Sequence, residues 1–174
     1  MSERNRLLAL ADAELARECE LDRFRGSGPG GQKRNKTESA VRLRHLATGL
    51  VGQASDSRSQ SENRDRALRR LRESAALDLR EPVAVDDYRP PPALATLLAA
   101  GTGRRGPRQR LEAGYLLAMA QLLDLFVATG CSVGDTGRLL GLSTGATSKL
   151  LLGDERVARA ANQYRSARGM RPLT

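Results

Sequence analysis

The chain carries, at residues 28–32, the sequence Gly28-Pro29-Gly30-Gly31-Gln32, and Lys33, Arg34 and Lys36 follow directly. This composition stabilises neither a helix nor a strand, because glycine weakens both elements and proline removes a backbone donor. Such a segment instead forms a backbone that can adopt unusual dihedral angles and lie against another molecule. The cations beside Gln32 predict that this other molecule carries phosphate.

The charge of the whole chain points the same way. Its 174 residues include 29 Lys and Arg against 20 Asp and Glu, a formal net charge of +9. This excess favours a polyanionic partner, and most of the cations are arginines, whose planar guanidinium suits phosphate and base recognition. Aromatic residues make up only 3%, so a sheet that stacks bases on aromatic rings is not expected. No apolar run approaches the roughly 20 residues of a membrane span, and no signal peptide is visible.

The remaining chemically reactive side chains indicate little on their own. Cys19 and Cys131 lie far apart in the sequence, which predicts no disulfide framework and a reduced, cytoplasmic setting. A nucleophilic Cys19 would need a nearby histidine and a lowered pKa, and the sequence indicates neither. His45 is predicted to be a surface or packed residue rather than a general base. Asp86 and Asp87 have no further ligand at a suitable spacing, so a solvated turn is expected there rather than a metal site.

The residues that flank the glycine-rich segment show strand and helix patterns. In residues 40–46 apolar and basic side chains alternate, with Val41, Leu43 and His45 on one face, as in a half-buried strand. Strands are predicted at residues 19–25, 40–46 and 50–54, the last two as an antiparallel hairpin. Helices are predicted at residues 5–17 and 59–79, with arginines over much of the second. The expected fold class is α+β, a small antiparallel sheet packed on a helix.

Beyond Glu81 the pattern becomes purely helical. Proline and glycine between residues 82 and 107 are typical of a linker, within which residues 94–100 could form a short helix. Further helices are predicted at residues 111–129, 132–140, 144–152 and 155–168. The turn Gly141-Leu142-Ser143 gives this all-α segment a helix-turn-helix pattern, for which DNA recognition, RNA docking and plain packing all remain open. The predicted domains are residues 1–85, a Pro/Gly/Arg-rich linker at 86–110, and a helical segment at 111–174.

Several blocks of the sequence, in order, resemble the catalytic domain of the class I peptide chain release factors. These blocks are Gly26–Gln32, Asn35-Lys36-Thr37, Ser39–Leu43, Arg58-Ser59-Gln60 and Asn63-Arg64. The resemblance covers roughly residues 15–80. Within the 174 residues no long codon-recognition region surrounds these blocks, so the chain looks like the short, codon-independent branch that rescues ribosomes. It departs from that branch in having predicted helices where a basic tail is usual, and from decoding factors in having Lys33-Arg34 in place of His-Val.

The resemblance implies a ribosome-dependent hydrolysis of the ester between a nascent peptide and tRNA. It places catalysis on Gly30, Gly31 and Gln32: the Gln32 backbone amide donates to the developing oxyanion, and its side-chain amide orients water. Contacts to RNA are expected from Ser27, Gly28, Pro29, Lys33, Arg34, Asn35, Lys36, Arg58, Gln60 and Arg64. The implied partners are large-subunit rRNA and peptidyl-tRNA, with no membrane, no cofactor, no metal, and a monomer favoured. The alternative is a non-catalytic RNA- or DNA-binding module on the same scaffold.

Overall fold

A computed structural model describes residues 1–24, 39–101 and 112–174. The chain divides into two compact units, Met1–Ala75 and Ala76–Thr174. The first contains a small antiparallel sheet and helices, and the described residues of the second form helices but no strand. The predicted α+β fold class with a following all-α segment is therefore confirmed. The sequence also predicts a helical turn at residues 37–39, of which residues 37 and 38 lie outside the described residues.

The first unit, which we call the sheet unit, holds three strands and the helices around them. Its elements are α1 (Glu3–Ala9), α2 (Asp12–Arg17), β1 (Cys19–Phe24), β2 (Ala40–His45), β3 (Val51–Ala54) and α3 (Gln60–Asp78), the last of which extends past Ala75. The strands form one antiparallel sheet in the order β1-β2-β3. The three predicted strands, the hairpin and the predicted helix at 59–79 are confirmed to within one residue at each end.

The prediction of one continuous helix at residues 5–17 is wrong, because the structure has two helices with a break between them. Leu10 and Ala11 are extended, with ψ angles of 144° and 153°. The Leu10 carbonyl oxygen accepts a hydrogen bond from the Arg72 Nη2 at 2.7 Å, and the Ala11 amide donates to the Glu14 carboxylate at 3.2 Å. Backbone groups that a continuous helix would pair within itself are thus satisfied by side chains.

The alternation predicted for β2 is confirmed by burial. Val41, Leu43 and His45 are at most 1% exposed, whereas Arg42 and Arg44 are exposed on the other face. The sheet lies close to α3 at Gly52 in β3. A Cβ atom there would collide with the Ala67 carbonyl oxygen and lie 2.7 Å from the Leu71 nitrogen. Only glycine therefore permits this contact between strand and helix.

The second unit, which we call the helical unit, surrounds one apolar core. Its elements are α4 (Pro92–Ala99), α5 (Ala113–Ala128), α6 (Val133–Leu140), α7 (Thr144–Leu152) and α8 (Glu155–Ser166). Every residue from Leu122 to Phe126 is buried, so α5 contributes more than one face to the core. The apolar side chains of α5 therefore pack within the unit.

The stretch predicted as a linker, residues 86–110, contains α4 among its described residues. Leu94 is 0% exposed and Leu97 is 8% exposed, and both pack in the core of the helical unit. Pro91 and Pro92 precede and open the helix, where a missing backbone donor costs nothing. The short helix predicted at residues 94–100 is confirmed, beginning two residues earlier.

A tight corner joins α6 to α7. Gly141 ends α6 in the left-handed conformation with a φ of 67°, which glycine adopts without strain. The Ser143 hydroxyl then accepts from the Ala146 amide at 3.2 Å and caps α7. A Cβ on Gly137 would lie 2.6 Å from the Thr147 hydroxyl, so the two helices pack closely. The helix bounds predicted from the sequence are confirmed here.

Polar side chains also fix parts of the helical unit. The Arg80 guanidinium lies 2.9 Å from the Asp124 carboxylate, which is 2% exposed, and Asp124 also accepts from the Glu81 amide at 3.1 Å. Asn162 donates to the Leu173 carbonyl oxygen and accepts from the Leu173 amide at 2.7 Å. Among the described residues, no helix combines the length and apolar content needed to cross a membrane.

Candidate functional site

The predicted catalytic residues Gly30, Gly31 and Gln32 lie outside the described residues, as do the RNA contacts predicted from Ser27 to Lys36. What the structure describes is the part of the sheet unit from which this segment starts and to which it returns. Phe24, the last residue of β1, is paired with Ala40, the first residue of β2. Since paired residues on adjacent strands have Cα atoms about 5 Å apart, the glycine-rich connection starts and finishes at neighbouring positions of the sheet.

The Phe24 end of the connection is fixed by Arg42. The Arg42 guanidinium carbon lies 5.2 Å from the centre of the Phe24 ring, within the range of a cation–π contact. Arg42 also donates from Nε to the Gln53 side-chain oxygen at 3.2 Å, and it is paired with Asp22 on β1. These contacts engage Arg42 within the sheet and hold the aromatic ring at the end of β1.

The Ser39 end of the connection is fixed by Asn63 in the first turn of α3. Asn63 is 0% exposed, and its amide nitrogen donates to the Ser39 carbonyl oxygen at 2.7 Å and to the Ser57 carbonyl oxygen at 2.8 Å. Its amide oxygen accepts from the Ser57 backbone amide at 2.9 Å. The donor and the acceptor groups of the Asn63 side chain thus both form hydrogen bonds. These bonds link α3 to the turn before it and to Ser39, the residue before β2.

Three of the predicted RNA contacts belong to the described residues, and they cluster around the start of α3. Ser59 caps the helix by accepting from the Glu62 amide at 3.3 Å. Gln60 and Arg64 lie within one turn of Asn63, and Arg58 lies in the segment just before the helix. Arg58 and Arg64 are exposed, and the structure shows no ion-pair partner for either among the residues that it describes. The structure therefore brings these three residues to the same part of the sheet unit as Ser39.

Three other arginines of α3, Arg66, Arg70 and Arg72, are engaged within the sheet unit. Arg70 pairs with the Asp56 carboxylate at 2.9 Å, and Arg66 lies 3.9 Å from the same group. Arg72, whose side chain is only 12% exposed, pairs with Asp12 at 2.6 Å. The sequence predicted arginines over much of this helix. The structure divides the arginines of residues 58–72 into those paired with carboxylates and the exposed Arg58, Arg64 and Arg69, which have no ion-pair partner among the described residues.

His45 belongs to a hydrogen-bonded cluster away from the glycine-rich connection. The Thr48 backbone amide donates to its Nδ1 at 3.2 Å, so its Nε2 carries the proton that is donated to the Glu18 carboxylate at 3.1 Å. Arg6 and His45 hold the pKa of Glu18 down at about 2 through hydrogen bonds. Because His45 is 1% exposed, its arrangement agrees with a packed residue and offers no access to substrate.

The same cluster brings together three side chains of the kind that bind metals, Glu3, Glu18 and His45. Arg6 donates to both carboxylates, at 2.7 Å in each case. A guanidinium already occupies the position between the carboxylates, so the arrangement suits an ion pair rather than a cation site. Nearby, Cys19 donates its thiol to the Leu15 carbonyl oxygen at 3.1 Å, and burial raises the pKa of the Cys19 thiol. This environment disfavours a nucleophilic thiolate.

Comparison with known proteins matches residues 13–84 to the RF-1 domain. Peptide chain release factor 1 of Xylella fastidiosa (strain 9a5c) is 41% identical over 93 residues, covering 53% of this chain and 24% of that protein. Peptide chain release factor 2 of Buchnera aphidicola subsp. Baizongia pistaciae (strain Bp) is 54% identical over 56 residues, covering 32% and 15%. Peptide chain release factor 1 of Leptothrix cholodnii (strain ATCC 51168 / LMG 8142 / SP-6) is 42% identical over 142 residues, covering 76% and 38%. No solved structure matches the chain significantly.

Residues 13–84, which include the three strands and α3, thus match the RF-1 domain. These residues carry a domain of the class I release-factor GGQ-domain family. The chain spans only 15% to 38% of the length of these three relatives. The alignment with the Leptothrix protein covers 76% of this chain, which is more than residues 13–84 supply, so that similarity extends beyond the domain.

Proposed function

We propose that this protein is a codon-independent peptidyl-tRNA hydrolase that acts in the cytoplasm on stalled ribosomes or large subunits. The observation that carries the proposal is the ordered set of sequence blocks around Gln32, all of which lie within the residues matched by the RF-1 domain. The proposed catalytic residues are Gly30, Gly31 and Gln32.

Hydrolysis of the peptidyl-tRNA ester requires little catalysis by ionisable side chains. The ester of peptidyl-tRNA is already activated, so the protein needs mainly to position water and to stabilise the oxyanion. Gln32 has no useful pKa, but its amide can both accept from and donate to a water molecule. Gly30 and Gly31 permit backbone dihedral angles and a close approach to the tRNA end that a Cβ would hinder. The remaining catalytic groups would come from the large-subunit rRNA, so we expect almost no hydrolysis without ribosomes.

The exposed arginines at the start of α3 support an RNA-facing role for this part of the domain. Arg58 and Arg64 are exposed; Arg64 is next to Asn63 in the sequence, and Arg58 is next to Ser57, and the Asn63 side chain binds both Ser39 and Ser57. Free guanidinium groups beside the glycine-rich connection would contact phosphates and position the domain. We propose the same role for Gln60 and for Ser27, Gly28, Pro29, Lys33, Arg34, Asn35 and Lys36.

The codon-independent part of the proposal comes from the resemblance to the short rescue factors, and it is tested with ribosomes that differ in the A site. We expect equal release from ribosomes that carry a stop codon, a sense codon or a truncated mRNA in the A site. A rate that depends on a stop codon would contradict codon independence while leaving the hydrolase proposal intact.

The decisive experiment replaces Gln32. The Gln32→Ala variant is expected to lose peptide release by at least about 100-fold, as for removal of a transition-state donor, while ribosome binding stays nearly unchanged. Gln163→Ala is the matched control, because Gln163 is an exposed amide on α8 with no proposed role. Release at the normal rate by the Gln32→Ala variant would overturn the assignment.

A non-catalytic nucleic-acid-binding module is the second candidate, and the net charge of +9 favours it. Such a protein would bind free RNA or DNA with an affinity that falls steeply with salt, and it would tolerate the loss of Gln32. Purified stalled ribosomes and a salt titration against free RNA, assayed side by side, separate the two. Binding without any peptide release would support the module and exclude the hydrolase.

A further inference from the structure

We propose that Asn63 is a positioning residue for peptide release, which fixes the point at which the glycine-rich connection rejoins the sheet. The inference rests on the proposed function, because it assigns a role within that reaction. Asn63 does not belong to the glycine-rich segment and is one residue before the proposed RNA contact Arg64. Its role follows from three hydrogen bonds and complete burial.

The first argument is the chemical fit of the amide. Both N–H groups of the Asn63 side chain are used, on the carbonyl oxygens of Ser39 and Ser57, and the oxygen is used by the Ser57 amide. An aspartate has the same shape but would place a carboxylate against two carbonyl oxygens, because it lacks both donors. Unmet backbone groups in a buried position are costly, so this site specifically requires an amide.

The second argument is the position of Ser39. Ala40 is the first residue of β2 in the register with β1, so Ser39 lies just outside the strand pairing. Among the described residues Ser39 has no strand partner, and the Asn63 amide donates to its carbonyl oxygen at 2.7 Å. Through the same side chain Ser39 is linked to Ser57, next to Arg58, in the turn that leads into α3. One amide thus couples the end of the connection to the turn that carries the exposed arginines.

The third argument is that the core of the sheet unit does not depend on this contact. Ala67, Leu68 and Leu71 are at most 3% exposed and pack along α3, one turn or more beyond Asn63. Removing the amide would therefore release Ser39 and Ser57 while the apolar packing persists. Since a displacement of about 1 Å can lower a rate about 100-fold, the loss should appear in catalysis more than in binding.

The test measures peptide release from stalled ribosomes over a range of factor concentrations, for Asn63→Asp, Asn63→Ser and wild type. We expect the rate constant at saturation to fall about 10- to 100-fold for Asn63→Asp, with the half-saturating concentration changed less than about threefold. Asn63→Ser keeps one donor and is expected to fall between Asn63→Asp and wild type. If Asn63→Asp fails to fold, the comparison of Asn63→Ser with wild type tests the proposal.

Leu68→Ala is the matched control for simple destabilisation, because Leu68 is 3% exposed on the same helix and contacts no proposed site. At temperatures below its unfolding transition it should keep the wild-type rate at saturation. A rate loss for the Asn63 variants no larger than that of Leu68→Ala at equal loss of stability would overturn the proposal, as would full activity of Asn63→Asp.

Failure of this inference can be told apart from failure of the proposed function. If the wild-type protein releases no peptide, the proposed function is overturned, and the role of Asn63 in release falls with it. If the wild type is active, hydrogen exchange at the Ser57 amide tests the contact itself. Exchange should be faster in Asn63→Ser than in wild type, and unchanged exchange would contradict the contact on which the inference stands.

Discussion

The sheet unit and the helical unit carry similar numbers of basic residues. The arginines at the start of α3 differ from those that bind buried groups in the helical unit. At the start of α3, Arg58 and Arg64 are exposed and have no ion-pair partner among the described residues. In the helical unit Arg80 pairs with buried Asp124, and Arg165 donates to the Cys131 carbonyl oxygen at 2.7 Å. The comparison teaches that the net charge does not locate a polyanion site. The arginines that no intramolecular partner engages are the better guide.

The largest expected effect tests whether the ion pair between Arg80 and Asp124 stabilises the helical unit. Asp124→Ala removes the carboxylate that binds Arg80 and the Glu81 amide, and breaking such a buried pair typically costs about 3–5 kcal/mol. The free energy of unfolding should be measured by urea denaturation with tyrosine fluorescence, since all three tyrosines lie in this unit. Asp135→Ala, which breaks an exposed pair with Arg138, should cost much less, because solvent screens exposed pairs. Equal losses would contradict the distinction.

The next effect is the change in stability when a glycine in each unit is replaced by alanine. Gly52→Ala should destabilise the sheet unit by about 2–3 kcal/mol, because the new Cβ meets the backbone of α3. Gly145→Ala on α7 has open space around it and should stabilise its helix by about 0.5–1 kcal/mol. Thermal unfolding followed by far-UV circular dichroism measures both. A tolerated Gly52→Ala would show that β3 and α3 are not in the contact described.

A smaller effect addresses the exposed arginines directly. Replacing Arg58 and Arg64 together by alanine should lower the slope of log affinity against log salt for RNA by about 1.4–1.8, if each contacts one phosphate. The control is Arg159→Ala on α8, where Arg159 pairs with Glu155 at 3.2 Å, and its slope should not change. An unchanged slope for the double variant would remove these residues from the RNA-binding surface.

The smallest effect is the pH dependence of the sheet unit. The pKa of Glu18 is held at about 2 by Arg6 and His45, below its ordinary value of about 4.3. A lowered pKa means that the stabilisation is complete above about pH 4.3 and is lost as the pH falls through about 2. The stability difference between wild type and Glu18→Gln should thus be constant near neutrality and shrink in acid, as measured by urea denaturation. A difference that grows in acid would contradict the ion pair.

Local patterns in the sequence predicted most of the fold. The alternation of Val41, Leu43 and His45 identified β2 and its buried face, and the serines at 132 and 143 marked the starts of α6 and α7. The break between α1 and α2 could not be predicted, because it is stabilised by Arg72, which lies 62 residues from Leu10 in the sequence. Contacts of that separation leave no trace in local periodicity.

The candidate site, too, could be predicted from the sequence only in part. Its sequence blocks were recognisable, but which arginines of α3 remain unpaired depends on Asp12 and Asp56 in distant segments. The role of Asn63 was missed, although a signal existed: Asn63, Ala67 and Leu71 recur every four residues on one helix face. A polar residue in line with an apolar stripe indicates a buried side chain with hydrogen-bond partners.

The pairing of Phe24 with Ala40 has a practical consequence. Both ends of the connection are anchored by the sheet, and doubling the length of such a loop adds only about 0.6 kcal/mol of closure entropy. Residues 25–38 can therefore be exchanged for a neutral glycine-serine segment of similar or greater length without loss of the pairing between β1 and β2. The resulting chimera would supply an inert reference protein, identical to the original everywhere outside the exchanged loop.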